Sequence, residues 1–145
     1  MRIDSLHPIT SARLSVIGVD ATLRSAAFSL SDPAIGLVVV CNGSGEAAGV
    51  LSKSDLVRHL ASSGLAEVPV ATLMNRSIVS CGPGDDLHSI WQTMAARGLQ
   101  NVPVLGADQK PIGVLDIRDA MKALFDQEEL QEQLLANYIG GIGYQ

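Results

Sequence analysis

The chain has 145 residues, 47% hydrophobic and 3% aromatic, enough for one compact domain or two small ones that share an aliphatic core. A net charge of −5 argues against a nucleic-acid-binding surface, because that surface needs basic side chains to displace counterions from phosphates. No apolar run approaches the roughly 20 residues needed to cross a bilayer, and the first residues lack a secretory signal, so we expect a cytoplasmic protein. Cys41 and Cys81 lack metal-ligand spacing and are expected in or near the core.

The first half of the chain predicts five elements in the order strand, helix, strand, strand, helix. "RLSVI" (13–17) is typical of a short strand, and apolar residues at helical spacing predict a helix from Leu23 to Leu30. "GLVVVC" (36–41) and "AAGVL" (47–51) flank the turn residues "NGSGE", which predicts a hairpin. "SKSDLVRHLA" (52–61) then predicts a second helix.

The second half repeats this order. "SIVSC" (77–81) predicts a strand, and apolar residues from Leu87 to Met94 predict a helix. "NVPVL" (101–105) and "IGVL" (112–115) predict a second hairpin across the turn "GADQKP", and "DIRDAMKALF" (116–125) predicts the closing helix.

The two halves are related by a constant offset of 64 residues. Gly49-Val50-Leu51 corresponds to Gly113-Val114-Leu115, and Asp55 corresponds to Asp119. One such unit would leave an apolar face of sheet and helix uncovered. The sequence therefore predicts an α+β fold in which two β-α-β-β-α repeats pack face to face with pseudo-two-fold symmetry, followed by a C-terminal helix.

The junction that ends each hairpin has two interpretations. In the first, Ser52 is a helix N-cap and Asp55 lies in the first turn, with Asp116 and Asp119 in the same roles. That interpretation does not explain why Gly-Val-Leu precedes both copies of the junction. A glycine near a strand end lets another group approach the backbone closely. In the second, Asp55 and Asp119 each bind the hydroxyls of a ribose, as acidic residues do in dinucleotide-binding folds. The residues alone leave both interpretations open.

These repeats, each with V-x-V, a hairpin and the G-h-h-[ST]-x-x-D junction, resemble a tandem cystathionine-β-synthase (CBS) domain pair, or Bateman module. "VATLM" (70–74) is similar to the family's linker, and "MNRSIVSCGPGDDL" (74–87) to the usual start of a repeat. The resemblance implies a stand-alone module divided into a first repeat (10–63), a linker (64–73), a second repeat (74–125), and a C-terminal helix and tail (126–145).

The resemblance implies a non-catalytic regulatory module that binds an adenine nucleotide in clefts between the repeats and signals to a separate partner protein. AMP, ADP, ATP, S-adenosylmethionine and NAD-type dinucleotides are the ligands it suggests; no required cofactor and no metal is expected. The family's ribose-binding acid corresponds to Asp55 and Asp119, and its [ST] position to Ser52. Asp116 departs from that pattern, so the two clefts are not expected to be equivalent, and Arg118 could offset its charge or reach a phosphate. The other expected ligand contacts are Leu14, Val38, Lys53, Ser54, Ile78, Val79, Asn101, Val102 and Pro103.

Two alternatives remain beside this hypothesis. The junctions could be helix caps only, in a ligand-free dimeric scaffold. An enzyme is disfavoured because His7, His59 and His88 are far apart and have no nucleophile or metal motif at a meaningful spacing.

The segment after the repeats predicts an appended helix. In "DQEELQEQLLANY" (126–138), the side chains of Leu130, Leu134, Leu135 and Tyr138 form an apolar stripe. We expect this helix to extend a homodimer of the kind common in the family. "GGIG" (140–143) predicts a helix stop followed by a flexible tail.

Overall fold

The computed structural model describes residues 1–62 and 64–143, with the backbone alone at 130 and 137–143. Short 3₁₀ turns occur at Ile3–Leu6, Val70–Thr72 and Ala107–Gln109. The helices are α1 (His7–Ala12), α2 (Leu23–Leu30), α3 (Lys53–Ala61), α4 (Leu87–Arg97) and α5 (Ile117–Gly143). The strands are β1 (Val16–Gly18), β2 (Leu37–Cys41), β3 (Ala47–Ser52), β4 (Asn101–Leu105) and β5 (Pro111–Asp116).

The strands form two small sheets, one in each repeat. In the first sheet β1 pairs parallel with β2, and β2 pairs antiparallel with β3. In the second sheet β4 pairs antiparallel with β5 in the corresponding register: Val39 lies opposite Val50, and Pro103 lies opposite Val114. The predicted α+β fold of two β-α-β-β-α repeats with pseudo-two-fold symmetry and a C-terminal helix is confirmed.

The first strand of each repeat differs from its prediction. Residues 13–15 are not in a strand, because the backbone N–H groups of Arg13 and Leu14 are hydrogen-bonded to carbonyls of α1. Of 77–81, only Cys81 pairs, through a parallel bridge to Val104. The chain before it is held elsewhere, because Asn75 exchanges two backbone hydrogen bonds of 2.8 and 3.0 Å with Val50. The strand predicted at 77–81 is therefore wrong except at its last residue.

Among the described residues, three apolar clusters hold the elements together. One lies between the first sheet and helices α2 and α3, and a second lies between the second sheet and helices α4 and α5. The second cluster also receives Ile3 and Leu6 from the N-terminal turn. The third cluster joins the repeats, with Leu37, Val39 and Cys41 on one side and Val114 on the other. Successive strand residues thus alternate between their own repeat's helices and the surface between the repeats.

Helix α5 unites two predicted helices, because the helix that closes the second repeat continues without interruption through the predicted C-terminal helix. The predicted stop at 140–143 is wrong: the helix extends to Gly143, and the remainder of the predicted tail, 144–145, lies outside the described residues. Leu134 and Leu135 are about 60% exposed, whereas the side chains of Leu130 and Tyr138 lie outside the described part. Across the described residues, no helix combines the length and apolar character needed to cross a membrane.

Candidate functional site

The N-terminus of α3 carries the complete helix cap that the first interpretation of the junction predicts. The Ser52 hydroxyl accepts the Asp55 N–H at 3.2 Å, and the Asp55 carboxylate accepts the Ser52 N–H at 3.3 Å. The other carboxylate oxygen of Asp55 lies 3.4 Å from the Arg58 guanidinium, and the side chain remains 33% exposed. Asp55 is therefore a cap residue whose carboxylate is still accessible.

The N-terminus of α5 is organised differently, around a buried carboxylate. Asp116 accepts the backbone N–H of Arg118 at 2.8 Å and two bonds from its guanidinium, at 3.0 and 2.7 Å. Burial alone would raise the pKa of Asp116, but the bonds from Arg118 and the charges of Arg118 and Arg13 outweigh it and hold the pKa below its ordinary value. The Arg118 side chain thus compensates Asp116, one of the two roles that the sequence left open for it.

Asp119 is engaged by an arginine that the sequence analysis missed. The Arg13 guanidinium donates Nε–H to one carboxylate oxygen of Asp119, and Nη2–H to the other at 3.1 Å. Its Nη1 donates to the Ala34 carbonyl at 2.9 Å and lies 3.9 Å from the Asp116 carboxylate. The hydrogen bond to Asp119 raises the pKa of Arg13. Arg13 lies outside the repeated junction, so no motif marked it.

A cleft of about 800 Å³ opens between the repeats at the N-termini of α3 and α5. That volume is within the range of small-molecule sites. Its lining residues are Pro33, Gly36, Leu37, Val50, Ser52, Lys53, Ser54, Asp55, Asn75, Ser77, Val79, Gly98, Leu99, Gln100, Asn101, Pro103, Asp116, Ile117 and Arg118.

Nine of the fourteen predicted contact residues line this one cleft, although they come from both repeats. They are Ser52, Lys53, Ser54, Asp55, Val79, Asn101, Pro103, Asp116 and Arg118. The structure therefore brings the two junctions together, as packing the repeats face to face requires. Contact of these residues with a ligand remains a prediction.

The structure corrects the prediction that Val38 and Val102 contact the ligand. They are 0% and 1% exposed and pack in the clusters beneath their own helices. Strand side chains alternate between faces, so the neighbouring residues Leu37 and Asn101 line the cleft instead. Because Pro103 is predicted to face the cleft, strand alternation alone excludes its neighbour Val102 from the cleft.

The remaining three predicted contacts are not among the residues that line the cleft. Leu14 packs against the cluster between the repeats, and Ile78 is half-buried beside the lining residue Val79. Asp119 is held by Arg13. The sequence analysis missed several lining residues, including Ser77 and Val50, which adjoins the junction glycine. These residues lie at the cleft because the second repeat approaches β3 in space.

Metal-binding geometry is absent from the described ranges 1–62 and 64–143, where no three His, Cys, Asp or Glu side chains cluster to hold an ion. Two of the histidines have local contacts. The His59 Nε2 lies 3.1 Å from the Leu65 carbonyl, and the His88 ring is 5.7 Å from that of Trp91.

The site and the duplicated fold can be compared with known proteins. The sequence profile described as "CBS domain" matches residues 7–62 and 70–126, one match in each repeat. The chain belongs to the CBS-domain family. An uncharacterized 17.7 kDa protein of Acidianus ambivalens is 23% identical over 135 residues, which cover 93% of this chain and 82% of that protein.

Solved structures of CBS-domain proteins share the fold. A CBS domain protein of Pyrobaculum aerophilum, complexed with AMP, has a TM-score of 0.73 at 22% identity and covers 82% of this chain and 89% of its own. The CBS domain pair of protein MJ0100, in complex with 5′-methylthioadenosine and S-adenosyl-L-methionine, has a TM-score of 0.74 at 16% identity, covering 88% and 98%. At these identities the likeness shows the tandem CBS fold.

Proposed function

We propose that this CBS pair binds an adenine nucleotide in the cleft between its repeats, on the side of Asp55, and that binding is regulatory rather than catalytic. The observation that carries the proposal is the accessible Asp55 carboxylate at the border of an open cleft of about 800 Å³. The adenosyl ligands named for two structural relatives support the choice of ligand class.

The chemistry of the lining fits the parts of such a ligand. The Asp55 carboxylate is an acceptor for ribose hydroxyls, and Val50, Val79 and Pro103 offer apolar surface to an adenine ring. A phosphate group would lie towards the first turn of α3, where the partial positive charge of the helix N-terminus favours anions. Lys53 stands at this turn and adds a full positive charge.

The charged side chains of the lining limit how much negative charge the cleft accepts. Lys53 and Arg118 are opposed by Asp55 and Asp116. Arg118 is already paired with Asp116, so among the described lining residues Lys53 is the cation that can approach a phosphate. This balance supports a ligand with few phosphates over a triphosphate.

The test is a thermal-shift panel on protein refolded free of carried-over ligand. AMP, ADP, ATP, NAD, S-adenosylmethionine and GMP are compared on the wild type, Asp55→Asn and Asp86→Asn. Asp86 caps α4 and is absent from the cleft lining, so Asp86→Asn is the matched control for altering a helix-capping carboxylate. A ligand at 100 times its Kd should stabilise the wild type by about 2.7 kcal/mol, roughly 5–10 °C.

The panel also separates the proposed function from a ligand-free scaffold, which the complete cap at Ser52 and Asp55 favours. A nucleotide sensor should show a shift with an adenine ligand that Asp55→Asn reduces and Asp86→Asn preserves. Loss of a charged hydrogen-bond partner corresponds to about 1.5–3 kcal/mol of binding free energy. No shift with any compound would contradict nucleotide binding and leave the scaffold.

We propose further that the module is a homodimer that signals to a separate protein in the cytoplasm. Four apolar side chains on α3 and α5 support a dimer: Val57, Leu60, Met121 and Phe125 are 47–66% exposed. Val57 and Met121 occupy equivalent positions of the two repeats, so both repeats would present the same kind of surface. The free cysteines Cys41 and Cys81 fit a reducing compartment. A ligand could act on the partner only through different affinities for two arrangements of this dimer.

A further inference from the structure

The pseudo-two-fold axis gives each residue on the Asp55 side of the cleft an equivalent on the Asp119 side. On the Asp55 side, Asp55, Ser77 and Gly98 line open space. Adding 64 to the numbers of Arg13, Ala34 and Asp55 gives 77, 98 and 119. The equivalent set on the other side is therefore Asp119, Arg13 and Ala34, and Arg13 donates hydrogen bonds to both of the others.

Arg13 makes this difference because a guanidinium has five donors in a rigid planar arrangement. It donates hydrogen bonds to both carboxylate oxygens of Asp119 and to the Ala34 carbonyl, and the Arg13 side chain is only 21% exposed. Serine at the equivalent position 77 is too short to span the same distance. Arginine in place of serine is therefore the substitution between the repeats that fills the Asp119 side.

The position of Arg13 is fixed by the segment that precedes it. Helix α1 packs against β5, where Thr10 lies directly over Gly113. Three residues later the chain reaches Arg13, at the end of α1 and beside the first turn of α5. The packing of α1 against β5 therefore places Arg13 beside Asp119.

We propose that the Asp119 side is a latent nucleotide site that Arg13 holds closed, so that the wild-type chain binds one adenine nucleotide. The inference rests on the proposed function of the Asp55 side. The carboxylate that would accept ribose hydroxyls already accepts two bonds from the guanidinium, and that group fills the space between Asp119 and Ala34. A ligand can enter there only after this ion pair is broken and Arg13 leaves.

The experiment counts bound ligands by isothermal titration with AMP, and in parallel with ATP, on the full chain freed of nucleotide. The wild type is compared with Arg13→Ser, which reproduces the residue at position 77, and with Arg13→Ala, which removes both the donors and the bulk of the side chain. The double variant Arg13→Ser/Asp119→Asn removes the proposed ribose acid from the opened side. We expect one ligand per chain in the wild type, two in each Arg13 variant, and one again in the double variant.

Each other outcome contradicts a distinct statement. Two ligands on the wild type would overturn the closed state of the Asp119 side, and this result needs no variant to fold. One ligand on the wild type and on a folded Arg13 variant would overturn the latent site while leaving the proposed function intact. No ligand on any protein would overturn the proposed function and the inference together.

Discussion

Gly113 lies so close to Thr10 that a side chain at position 113 would clash with it. A Cβ on Gly113 would be 2.8 Å from the Thr10 hydroxyl, 2.9 Å from its Cβ and 3.0 Å from its carbonyl carbon. The equivalent glycine in the first repeat, Gly49, is crossed by Met74 and Asn75. Met74 is 64 residues after Thr10, so the same contact occurs in both repeats.

These contacts explain the Gly-Val-Leu sequence that the helix-cap interpretation left unexplained. The glycine permits a close approach, as the sequence predicted, and the approaching group is the chain segment that leads into a repeat. The junction therefore has two structural roles. The glycine leaves room for the chain segment that leads into a repeat, and the residues after Val-Leu cap or orient the helix that follows.

We expect Gly113→Ala to destabilise the fold by about 1–3 kcal/mol, the usual range for overfilling a packed site. Gly49→Ala should cost less, because its two nearest neighbours are the Sδ and Cγ atoms of the flexible Met74 side chain at 2.6 and 2.7 Å, and the backbone oxygen of Asn75 is farther away at 3.1 Å. Urea unfolding followed by circular dichroism measures both free energies of unfolding.

Gly18→Ala is the matched control for these glycines. Gly18 also lies in a strand, but a Cβ there would meet no atom within 4 Å. Its substitution should leave stability within about 0.5 kcal/mol of the wild type, as is usual away from special sites. Equal costs at positions 18 and 113 would show that the Thr10 contact does not constrain the glycine.

The repeat made the fold predictable, because hydrophobic periodicity and a constant offset of 64 residues constrain the same elements twice. The strand predicted at 77–81 failed for a reason outside the local sequence. Its apolar residues are compatible with a strand, but Asn75 pairs with Val50 of the other repeat and draws the chain away from β4. A long-range backbone pairing of this kind leaves no mark on hydrophobic periodicity.

The site was predictable where it follows the repeated motif, and it was missed where the repeats differ. Asp55 and Ser52 stand at the cleft because the motif places them at a helix N-terminus facing the other repeat. Arg13 and Ser77 occupy equivalent positions with different residues, and their effect depends on tertiary contacts 106 residues apart in the chain. Comparing the repeats residue by residue identifies such positions, although it does not reveal what they contact.

We expect Ser52→Ala to lower the free energy of unfolding by about 1 kcal/mol, because it removes the acceptor for the Asp55 N–H. Ser52→Thr retains the hydroxyl and should preserve most of the stability. Ser80→Ala, at an exposed position outside the helices and strands, controls for a general effect of alanine. If urea unfolding shows Ser52→Ala to be as stable as Ser80→Ala, the cap does not stabilise the fold.

We expect Phe125→Ser to weaken the proposed homodimer, since its ring is 66% exposed on α5, one turn after the 51% exposed Met121. Light scattering coupled to size exclusion at micromolar concentration should give twice the chain mass for the wild type and a mass shifted towards the monomer for the variant. Phe28→Ser is the comparison, because Phe28 is 82% exposed but lies on α2. A monomeric wild type would exclude the dimer, and equal loss in both variants would exclude the α5 surface as its specific site.

The buried Asp116 carboxylate predicts a stability difference that disappears in acid. Its pKa is held below the ordinary value of about 3.9, so its ionised form favours the folded state. This contribution is complete above the pKa of the unfolded chain and is lost as the pH falls through the lower pKa of the folded state. At pH 7, we expect Asp116→Asn to be destabilised by about 1–3 kcal/mol, because a charged acceptor for Arg118 is removed.

Urea unfolding of the wild type and Asp116→Asn from pH 7 to pH 3 measures this difference directly. The two free energies should stay parallel down to about pH 5 and converge below about pH 4, where the Asp116 carboxylate of the unfolded chain takes up a proton before that of the folded protein. Asp20→Asn, at an exposed turn position, should show no comparable difference at either pH. A gap between wild type and Asp116→Asn that stayed constant down to pH 3 would mean that the ionised carboxylate does not stabilise the junction.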